Sequence, residues 1–269
     1  MKNKKDLSEL SIWVRGAGDI ASGVAWRLHQ CGFGRIVMTE IPEPMAVRGS
    51  VAFCEAVYEG RTTVEGMSAV LVHNPAEVHA YWKQGVIPLM VDPEGKEVRG
   101  LQPDILLDAI LAKKNLGTSL GDAPLVMALG PGFEAGKDVH YVVETNRGHY
   151  LGRLLTQGRA EANTGTPGPV QGITTDRVLR ASANGRWETF SQIGDSIKAG
   201  DRVGAVDDTP VTAAIDGVIR GLIRPGIQVT QGLKIGDIDP RGIQQHCFSI
   251  SEKALAIAGG VLEGILRHE

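Results

Sequence analysis

The sequence predicts an α/β protein, with a parallel-sheet domain followed by a small all-β domain and a C-terminal helix. In the first half, short apolar runs alternate with segments of helical apolar spacing. The second half lacks helical periodicity and carries a glycine-rich repeat. The last residues regain helical spacing. We therefore predict domains at 1–152, 153–247 and 248–269.

The first element pair is a strand followed by a helix. Ile12–Val14 is a short apolar run that ends in a glycine turn, and Ile20–Gln30 places apolar residues at helical spacing. Ile36–Ile41 then resumes as a β-branched buried run. This order predicts a parallel βαβ unit.

Further segments continue the alternation. Strands are predicted at Ala69–Val72, Val86–Val91 and Leu125–Leu129, and helices at Val47–Tyr58 and Pro75–Gln84. Asp104–Asp108 is consistent with a strand or with the start of a helix that ends near Asn115, whose end Lys113 and Lys114 would cap. At the C-terminus, Ser251 is predicted to cap a helix over Glu252–Leu266 that packs on the first domain.

An internal repeat within 194–239 predicts the architecture of the small all-β domain. Gly194, Ile197, Gly200, Val203 and Gly204 are matched in order by Gly226, Val229, Gly232, Ile235 and Gly236. The repeat resembles the half-motif of biotinyl and lipoyl domains, which implies a barrel-sandwich of two related halves. The turn Asp207–Pro210 lacks the lysine that carries the covalent arm in those domains. We expect the scaffold without the carrier role.

Composition excludes several classes of function. The chain has 269 residues, is 42% hydrophobic and has a formal net charge of -3, so a dedicated nucleic-acid binder is not expected. No apolar stretch has the length of a secretion signal or a membrane span, which predicts a cytoplasmic protein without a membrane partner. The three cysteines form no Cys-x-x-Cys pair, so neither a disulfide framework nor a thiolate metal site is indicated.

The strongest motif is the glycine-rich turn between the first strand and the first helix. It matches G-x-G-x-x-[GA] in the context of a Rossmann-like dinucleotide site. The predicted contact residues are Gly16, Ala17, Gly18, Asp19, Ile20 and Ala21, together with Glu40 and Arg48. Gly18 would let the backbone approach a pyrophosphate at the helix N-terminus, and Glu40 would accept hydrogen bonds from ribose hydroxyls. The carboxylate of Asp19 opposes this interpretation.

A second glycine turn, Gly130-Pro131-Gly132, follows the strand Leu125–Leu129. It departs from a P-loop in spacing and has Asp138 where a hydroxyl would hold magnesium, so a P-loop ATPase is disfavoured. Glycine turns at the carboxyl ends of strands are nevertheless where ligands bind in open α/β folds. We predict an anion pocket formed by this turn with Lys137, Asn146 and Arg147.

A weaker alternative is a metal site. Along a strand, His140 and Glu144 project to one face, and the turn after them would bring His149 back. Two imidazoles and a carboxylate suit a divalent cation. The alternative left open is that His140 and Glu144 face solvent or bond locally.

Together these strings resemble the selenium-dependent molybdenum hydroxylase system protein family over nearly the whole chain. The matching stretches are Arg15–Gly23, Arg48–Glu59, Leu129–Gly152, Asn163–Gly168 and Lys234–Gly242. Members are similar in part to Rossmann-type xanthine dehydrogenase accessory proteins. The resemblance implies a role in maturing, or inserting the cofactor of, a molybdenum hydroxylase. It carries no catalytic residue.

Three functions follow from this combination. The first is an accessory protein that binds a nucleotide or a molybdopterin-type cofactor between the two glycine turns, with a molybdenum hydroxylase or its cofactor-maturation proteins as partners. The second is an NAD(P)-dependent oxidoreductase in which His140 or His149 is the acid or base. The third is a non-catalytic interaction module. Self-association into a homo-oligomer is left open.

Overall fold

The computed structural model describes residues 6–268, which form two compact units. The sheet unit combines Met1–Pro44, Ala52–Asn163 and Ile250–Glu269, and the β unit combines Met45–Val51 and Thr164–Ser249. The basic start of the chain, residues 1–5, and residue 269 lie outside the described residues. Within those residues, no helix has the length and apolarity that crossing a bilayer requires.

Over the described residues, the sheet unit contains eleven strands and five α-helices. The strands are β1 Ser11–Arg15, β2 Arg35–Glu40, β3 Arg61–Val64, β4 Met67–Leu71, β5 Ile87–Val91, β6 Ile105–Asp108, β7 Leu125–Leu129, β8 Glu134–Ala135, β9 Tyr141–Val143, β10 Leu154–Leu155 and β11 Gly158–Arg159. The helices are α1 Asp19–Gln30, α2 Ala56–Glu59, α3 Val78–Trp82, α4 Lys96–Arg99 and α5 Glu252–His268.

Nine of these strands form one sheet in the order β10-β9-β7-β6-β1-β2-β5-β4-β3. All neighbours pair in parallel except the two edge pairs, β3 with β4 and β10 with β9. The predicted α/β class with a parallel sheet is therefore confirmed. The strand order reverses beside β1, because β2 lies on one side of it and β6 on the other.

Burial on both faces explains why the central strands are continuous apolar runs. All five residues of β7 are buried, as are all four of β6. Trp13 is fully buried in the core and its indole N–H donates to the hydroxyl of Thr39 at 2.9 Å. The segment 104–108, ambiguous in sequence, is thus a strand because it is buried between β1 and β7.

The C-terminal helix α5 packs on α1 within the sheet unit. The Ser251 hydroxyl accepts a hydrogen bond from the Ala254 N–H, as the predicted cap requires. A Cβ on Gly23 of α1 would stand 2.7 Å from the Cβ of Ala254, so glycine permits the close approach. Gly152 also lies in close contact with α5, because a Cβ at this position would clash with the carbonyl group of Ala256. This contact attaches the segment around residue 152 to the sheet unit. The middle segment of the sheet unit therefore extends to Asn163, beyond the boundary predicted at residue 152.

The helix predicted over Val47–Tyr58 is not continuous. Gly49–Val51 and Phe53–Glu55 are short 3-10 turns, and only Ala56–Glu59 is α-helical. Residues 45–51 belong to the β unit while the residues after them belong to the sheet unit. Tertiary packing of the two halves of this segment in different units overrides its local helical preference.

The β unit contains two four-stranded sheets, β12-β19-β17-β14 and β16-β15-β13-β18. Its strands are β12 Val178–Arg180, β13 Gly185–Thr189, β14 Ser196–Ile197, β15 Arg202–Val206, β16 Thr209–Thr212, β17 Gly217–Leu222, β18 Gln228–Val229 and β19 Lys234–Asp239. All pair antiparallel, around a core that includes the fully buried Trp187.

The repeat occupies equivalent places in the two halves of this unit. Ile197 lies in β14 and Val229 in β18, while Val203 lies in β15 and Ile235 in β19. The four glycines that precede these strands all have a positive φ, between 83° and 100°. Glycine recurs at these positions because L side chains rarely adopt that conformation.

Candidate functional site

The candidate site lies at the carboxyl edge of the large sheet, where the strand order reverses. In open α/β sheets, ligands bind outside the carboxyl ends of the strands at such a point. Strands β1, β6 and β7 are neighbours and end at Arg15, Asp108 and Leu129. Both glycine turns predicted from sequence follow these ends, so the fold brings them to one edge.

The first glycine turn is shaped by the backbone of the loop after β6. Gly16 has φ 99°, and a Cβ there would stand 3.0 Å from the carbonyl oxygen of Ala109. Gly18 is the N-cap of α1, and no heavy atom beyond its chain neighbours lies within 4 Å of where its Cβ would be. The amide groups of the first turn of α1 have no acceptor within the helix. Gly16 thus serves chain packing, and the open side of the turn is at Gly18.

Glu40 is engaged with the turn itself. Its Oε2 accepts a hydrogen bond from the Ala17 N–H at 2.9 Å, and its Oε1 accepts one from the Ile41 N–H at 2.9 Å. Burial raises the pKa of Glu40, and the two amide donors only partly oppose that shift. The Glu40 carboxylate therefore occupies the Ala17 N–H, a backbone amide that we expected to bind a pyrophosphate. Because both of its oxygens accept backbone amides, the carboxylate is not available to bind ribose hydroxyls.

Glu40→Gln is expected to change how stability depends on pH. Because the folded-state pKa of Glu40 is raised, its contribution to stability is fully present below the ordinary carboxyl pKa and is lost as pH rises through the raised value. The difference in unfolding free energy between wild type and variant, measured in urea titrations, should therefore fall as pH rises above the ordinary carboxyl pKa. A difference that does not change with pH contradicts the assignment.

Close packing also explains the second glycine turn. Gly130 has φ 73°, and a Cβ there would stand 2.4 Å from Oγ1 of Thr145. A Cβ on Gly132 would stand 2.7 Å from the backbone N of Lys114. The turn is therefore packed against the segment after β9 on one side and the loop after β6 on the other.

The loop at residues 109–118 is what the two glycine turns share. It contacts Gly16 through Ala109 and Gly132 through Lys114. Leu111 and Lys113 have φ values of 61° and 63°, which is uncommon for residues other than glycine. Lys113 and Lys114 are both exposed. The loop therefore presents two ammonium groups at the carboxyl edge of the sheet.

A buried polar network holds this loop. Arg15 donates to the Thr118 hydroxyl at 2.9 Å and to the carbonyl oxygens of Leu116 and Pro93, each at 3.1 Å. The Thr118 hydroxyl donates to Asp108 at 2.6 Å, and the Arg15 guanidinium lies 3.6 Å from the same carboxylate oxygen. All three side chains are buried. The network therefore attaches the lysine-bearing loop, at Leu116 and Thr118, to the ends of β1 and β6.

Sequence reasoning missed the role of this loop. Lys113 and Lys114 were expected at the end of a helix, but the segment after β6 has no helix until the short 3-10 turn Leu120–Asp122. The available signal was their position just after a predicted strand end, between the two glycine turns. Assignment of this segment to a strand, Ile105–Asp108 in the structure, places the two lysines after the carboxyl end of that strand.

The predicted anion pocket around Lys137, Asn146 and Arg147 is not assembled. Lys137 precedes β9, whereas Asn146 and Arg147 follow it. Lys137 lies 3.6 Å from Glu134, Asn146 donates to Glu161, and Arg147 pairs with Glu252. Each polar group thus has a local partner, and the strand separates the lysine from the other two.

The predicted metal ligands are also kept apart. His140 lies before β9 and its Nδ1 accepts a hydrogen bond from the Val126 N–H at 3.0 Å. Burial lowers the pKa of His140, with a further contribution from His268. Glu144 lies after the strand, and the exposed His149 stacks edge-on with Tyr150. Among residues 6–268, no group of three His, Cys, Asp or Glu side chains is arranged to hold a metal ion.

Arg48, a predicted contact of the first glycine turn, belongs to the β unit, where its guanidinium donates to the carbonyl oxygens of His246 and Ser249.

Cys54 lies beside the first glycine turn, and its N–H donates to the Ala17 carbonyl oxygen at 2.9 Å. Burial, together with the nearby carboxylates of Glu40, Glu55 and Asp19, raises the pKa of the Cys54 thiol far above its ordinary value. Cys54 is therefore a neutral thiol and a poor nucleophile.

The fold and the site together define an α/β protein with an open, largely parallel sheet and a lysine-bearing loop at its carboxyl edge. The chain is similar to uncharacterized protein YqeB of Escherichia coli (strain K12), with 49% identity over 255 residues. The match covers 95% of this chain and 47% of that protein, so the chain spans about half the length of its relative. No family model matches the chain.

Solved structures give only remote similarity. An aspartoacylase family protein from Mesorhizobium loti matches with 13% identity, a TM-score of 0.26 and coverage of 85% of this chain and 84% of its own. The product-bound ectoine utilization protein EutE from Ruegeria pomeroyi matches with 10% identity, a TM-score of 0.24 and coverage of 76% and 57%. TM-scores this low do not establish a shared fold or a shared function.

Proposed function

We propose that this chain is an accessory protein for the maturation of a selenium-dependent molybdenum hydroxylase, or for insertion of its cofactor. In this proposal the carboxyl edge of the sheet binds a nucleotide or a molybdopterin-type cofactor through its phosphate groups. The observation that carries the proposal is the loop 109–118, which presents Lys113 and Lys114 between the two glycine turns at the reversal of strand order.

The chemistry of the loop supports an anionic ligand. Lysine ammonium groups bind phosphate as point charges, and the first-turn amides of α1 favour negative charge at the same edge. The glycine turns shape the floor of the site. Because Glu40 already accepts the Ala17 N–H, the lysines supply the main attraction for phosphate.

An NAD(P)-dependent oxidoreductase receives less support. Glu40, expected to bind ribose, has both carboxylate oxygens engaged by backbone amides. His140, one of the two predicted acid-base groups, lies before β9, whereas the edge that carries the glycine turns follows the strand ends. Glu40 is therefore not available to bind ribose, and His140 is not placed at the edge where hydride transfer would occur.

We also propose a barrel-sandwich arrangement for the β unit. The two repeats, with equivalent glycines of positive φ and equivalent buried strands, support two related halves. The turn at Asp207 carries no lysine for a covalent arm. The role suited to this unit is docking of a molybdenum hydroxylase or of a cofactor-maturation protein in the cytoplasm.

Lys113→Ala/Lys114→Ala is expected to weaken binding of molybdopterin cytosine dinucleotide by about thirtyfold or more, because two ammonium contacts with phosphate are lost. Isothermal titration calorimetry of the pure protein at low salt measures this. The matched control is Lys137→Ala, an exposed lysine of the same unit before β9, which should bind as wild type does.

Two results would contradict the proposal. If the wild type gives no heat with molybdopterin cytosine dinucleotide, NAD or ATP, the carboxyl edge has no cofactor-binding role. If the double variant binds as tightly as wild type, the ligand lies elsewhere. Preference for NAD, with absorbance change of reduced nicotinamide during turnover, would favour the oxidoreductase instead.

A further inference from the structure

A separate cavity lies near the start of β2, away from the strand ends that carry the candidate site. It has a volume of about 400 Å³ and is lined by Ser8, Gly34, Arg35, His79, Trp82 and Lys83. Arg35 is the first residue of β2, so the cavity is at the amino edge of the parallel strands. The volume falls within the range of sites for small molecules.

One wall of the cavity is aromatic. The rings of His79 and Trp82 are stacked, with centroids 5.0 Å apart and planes at 23°. The Trp82 indole N–H donates to the Ile36 carbonyl oxygen at 2.8 Å, which fixes the orientation of the ring. The cavity therefore offers a preformed flat surface suited to stacking of a planar ring.

The polar part of the lining is cationic. Arg35 and Lys83 are both exposed at the cavity, and no carboxylate is among the lining residues. The Arg35 guanidinium donates to the Glu9 carbonyl oxygen at 3.1 Å through Nη1, which holds the side chain in place. An arginine fork and a lysine together suit a carboxylate or a phosphate.

A second cavity shares one lining residue with the first. It has a volume of about 310 Å³ and shares His79 with the first. Its other lining residues are Pro75, Ala76, Glu97, Gly100 and Leu101. The cationic lining is therefore confined to the first cavity, because the second one is mostly apolar apart from Glu97 and His79.

We propose that this cavity is a second binding site of the protein, specific for a planar aromatic ring that carries a carboxylate or phosphate group. The ring stacks on an outer face of the His79–Trp82 pair, and the anionic group pairs with Arg35 and Lys83. This site is independent of the carboxyl-edge function, because none of its lining residues belongs to the glycine turns or to the loop 109–118.

The test uses the full chain carrying Lys113→Ala/Lys114→Ala, so that phosphate binding at the carboxyl edge does not contribute. Saturation-transfer NMR and calorimetry are run with two anionic probes, AMP and nicotinate. Adenosine and nicotinamide are the matched uncharged probes, and ribose 5-phosphate is the anion without a ring. We expect AMP or nicotinate to bind at one site, with each matched neutral probe and ribose 5-phosphate about tenfold weaker or worse.

Variants then locate the site. Arg35→Gln/Lys83→Gln should weaken binding of the anionic probe about tenfold while leaving the far-ultraviolet circular dichroism unchanged. His79→Ala should weaken it by a smaller factor, because one face of the stacked wall is lost. Arg61→Gln, an exposed arginine of the same unit outside the cavity, is the control. Absence of binding by both anionic probes, or equal binding by Arg35→Gln/Lys83→Gln and wild type, overturns the proposal.

Discussion

Replacement of Glu144 by alanine is expected to lower the free energy of unfolding by about 3 kcal/mol, because two backbone amide donors lose a charged acceptor that is itself buried. Glu144 is only 3% exposed. Its Oε1 accepts from the Asn146 N–H at 2.6 Å and its Oε2 from the Glu161 N–H at 2.7 Å. The carboxylate thus ties two segments of the sheet unit together. Urea denaturation followed by circular dichroism measures the loss.

Two variants control this prediction. Glu144→Gln keeps one acceptor oxygen and should lose less stability than the alanine variant. Glu134→Ala removes a carboxylate whose partners, Arg159 and Lys137, are exposed, and such surface pairs contribute little. Equal stability of Glu144→Ala and wild type would show that Glu144 has no structural role and would reopen it as a ligand.

Arg15→Met is expected to cost about 3 to 5 kcal/mol, because it leaves the buried Asp108 carboxylate without its cationic partner. Burial raises the pKa of Asp108, and the Thr118 hydroxyl and Arg15 oppose that shift. The carbonyl oxygens of Leu116 and Pro93 also lose their donor. Since these contacts hold the loop 109–118, we expect cofactor binding to weaken together with stability.

The matched control for this second prediction is Arg15→Met/Asp108→Asn, which removes both charges. It should recover part of the lost stability, because an unpaired buried charge costs more than a neutral pair. Thermal unfolding and calorimetry on the same samples separate the two effects. Limited proteolysis of the loop 109–118 is measured as well. If Arg15→Met is as stable as wild type and its loop is cleaved at the wild-type rate, the network does not have the role assigned to it.

Parts of the candidate site followed from local sequence. The turn Gly16-Ala17-Gly18 was placed between β1 and α1, and Gly130-Pro131-Gly132 after β7, as the structure has them. Both are fixed by apolar runs that end in glycine. The partners of these turns were not accessible in this way, because Ala109, Thr145 and Lys114 approach them across the sheet edge and not along the chain.

Side-chain roles were harder to predict than turns. Glu40 has the position of a ribose-binding residue, yet its carboxylate bonds to the amides of Ala17 and Ile41. His140 and Glu144 share a strand-like run, yet β9 includes neither of them and they lie at its two ends. Whether a polar group faces a ligand or a neighbour depends on contacts that the residue type does not specify.

The α/β class, the order of the first strands and helix, and the glycine repeat of the β unit are all evident from the sequence alone. These features depend on apolar periodicity and on positive φ at glycine, which are local properties of the chain. Three other features became clear from the folded chain: the groups that meet at the carboxyl edge, the exposure of Lys113 and Lys114 there, and the separation of the predicted metal ligands. Those outcomes depend on strand order and on contacts between distant segments, which no local pattern encodes.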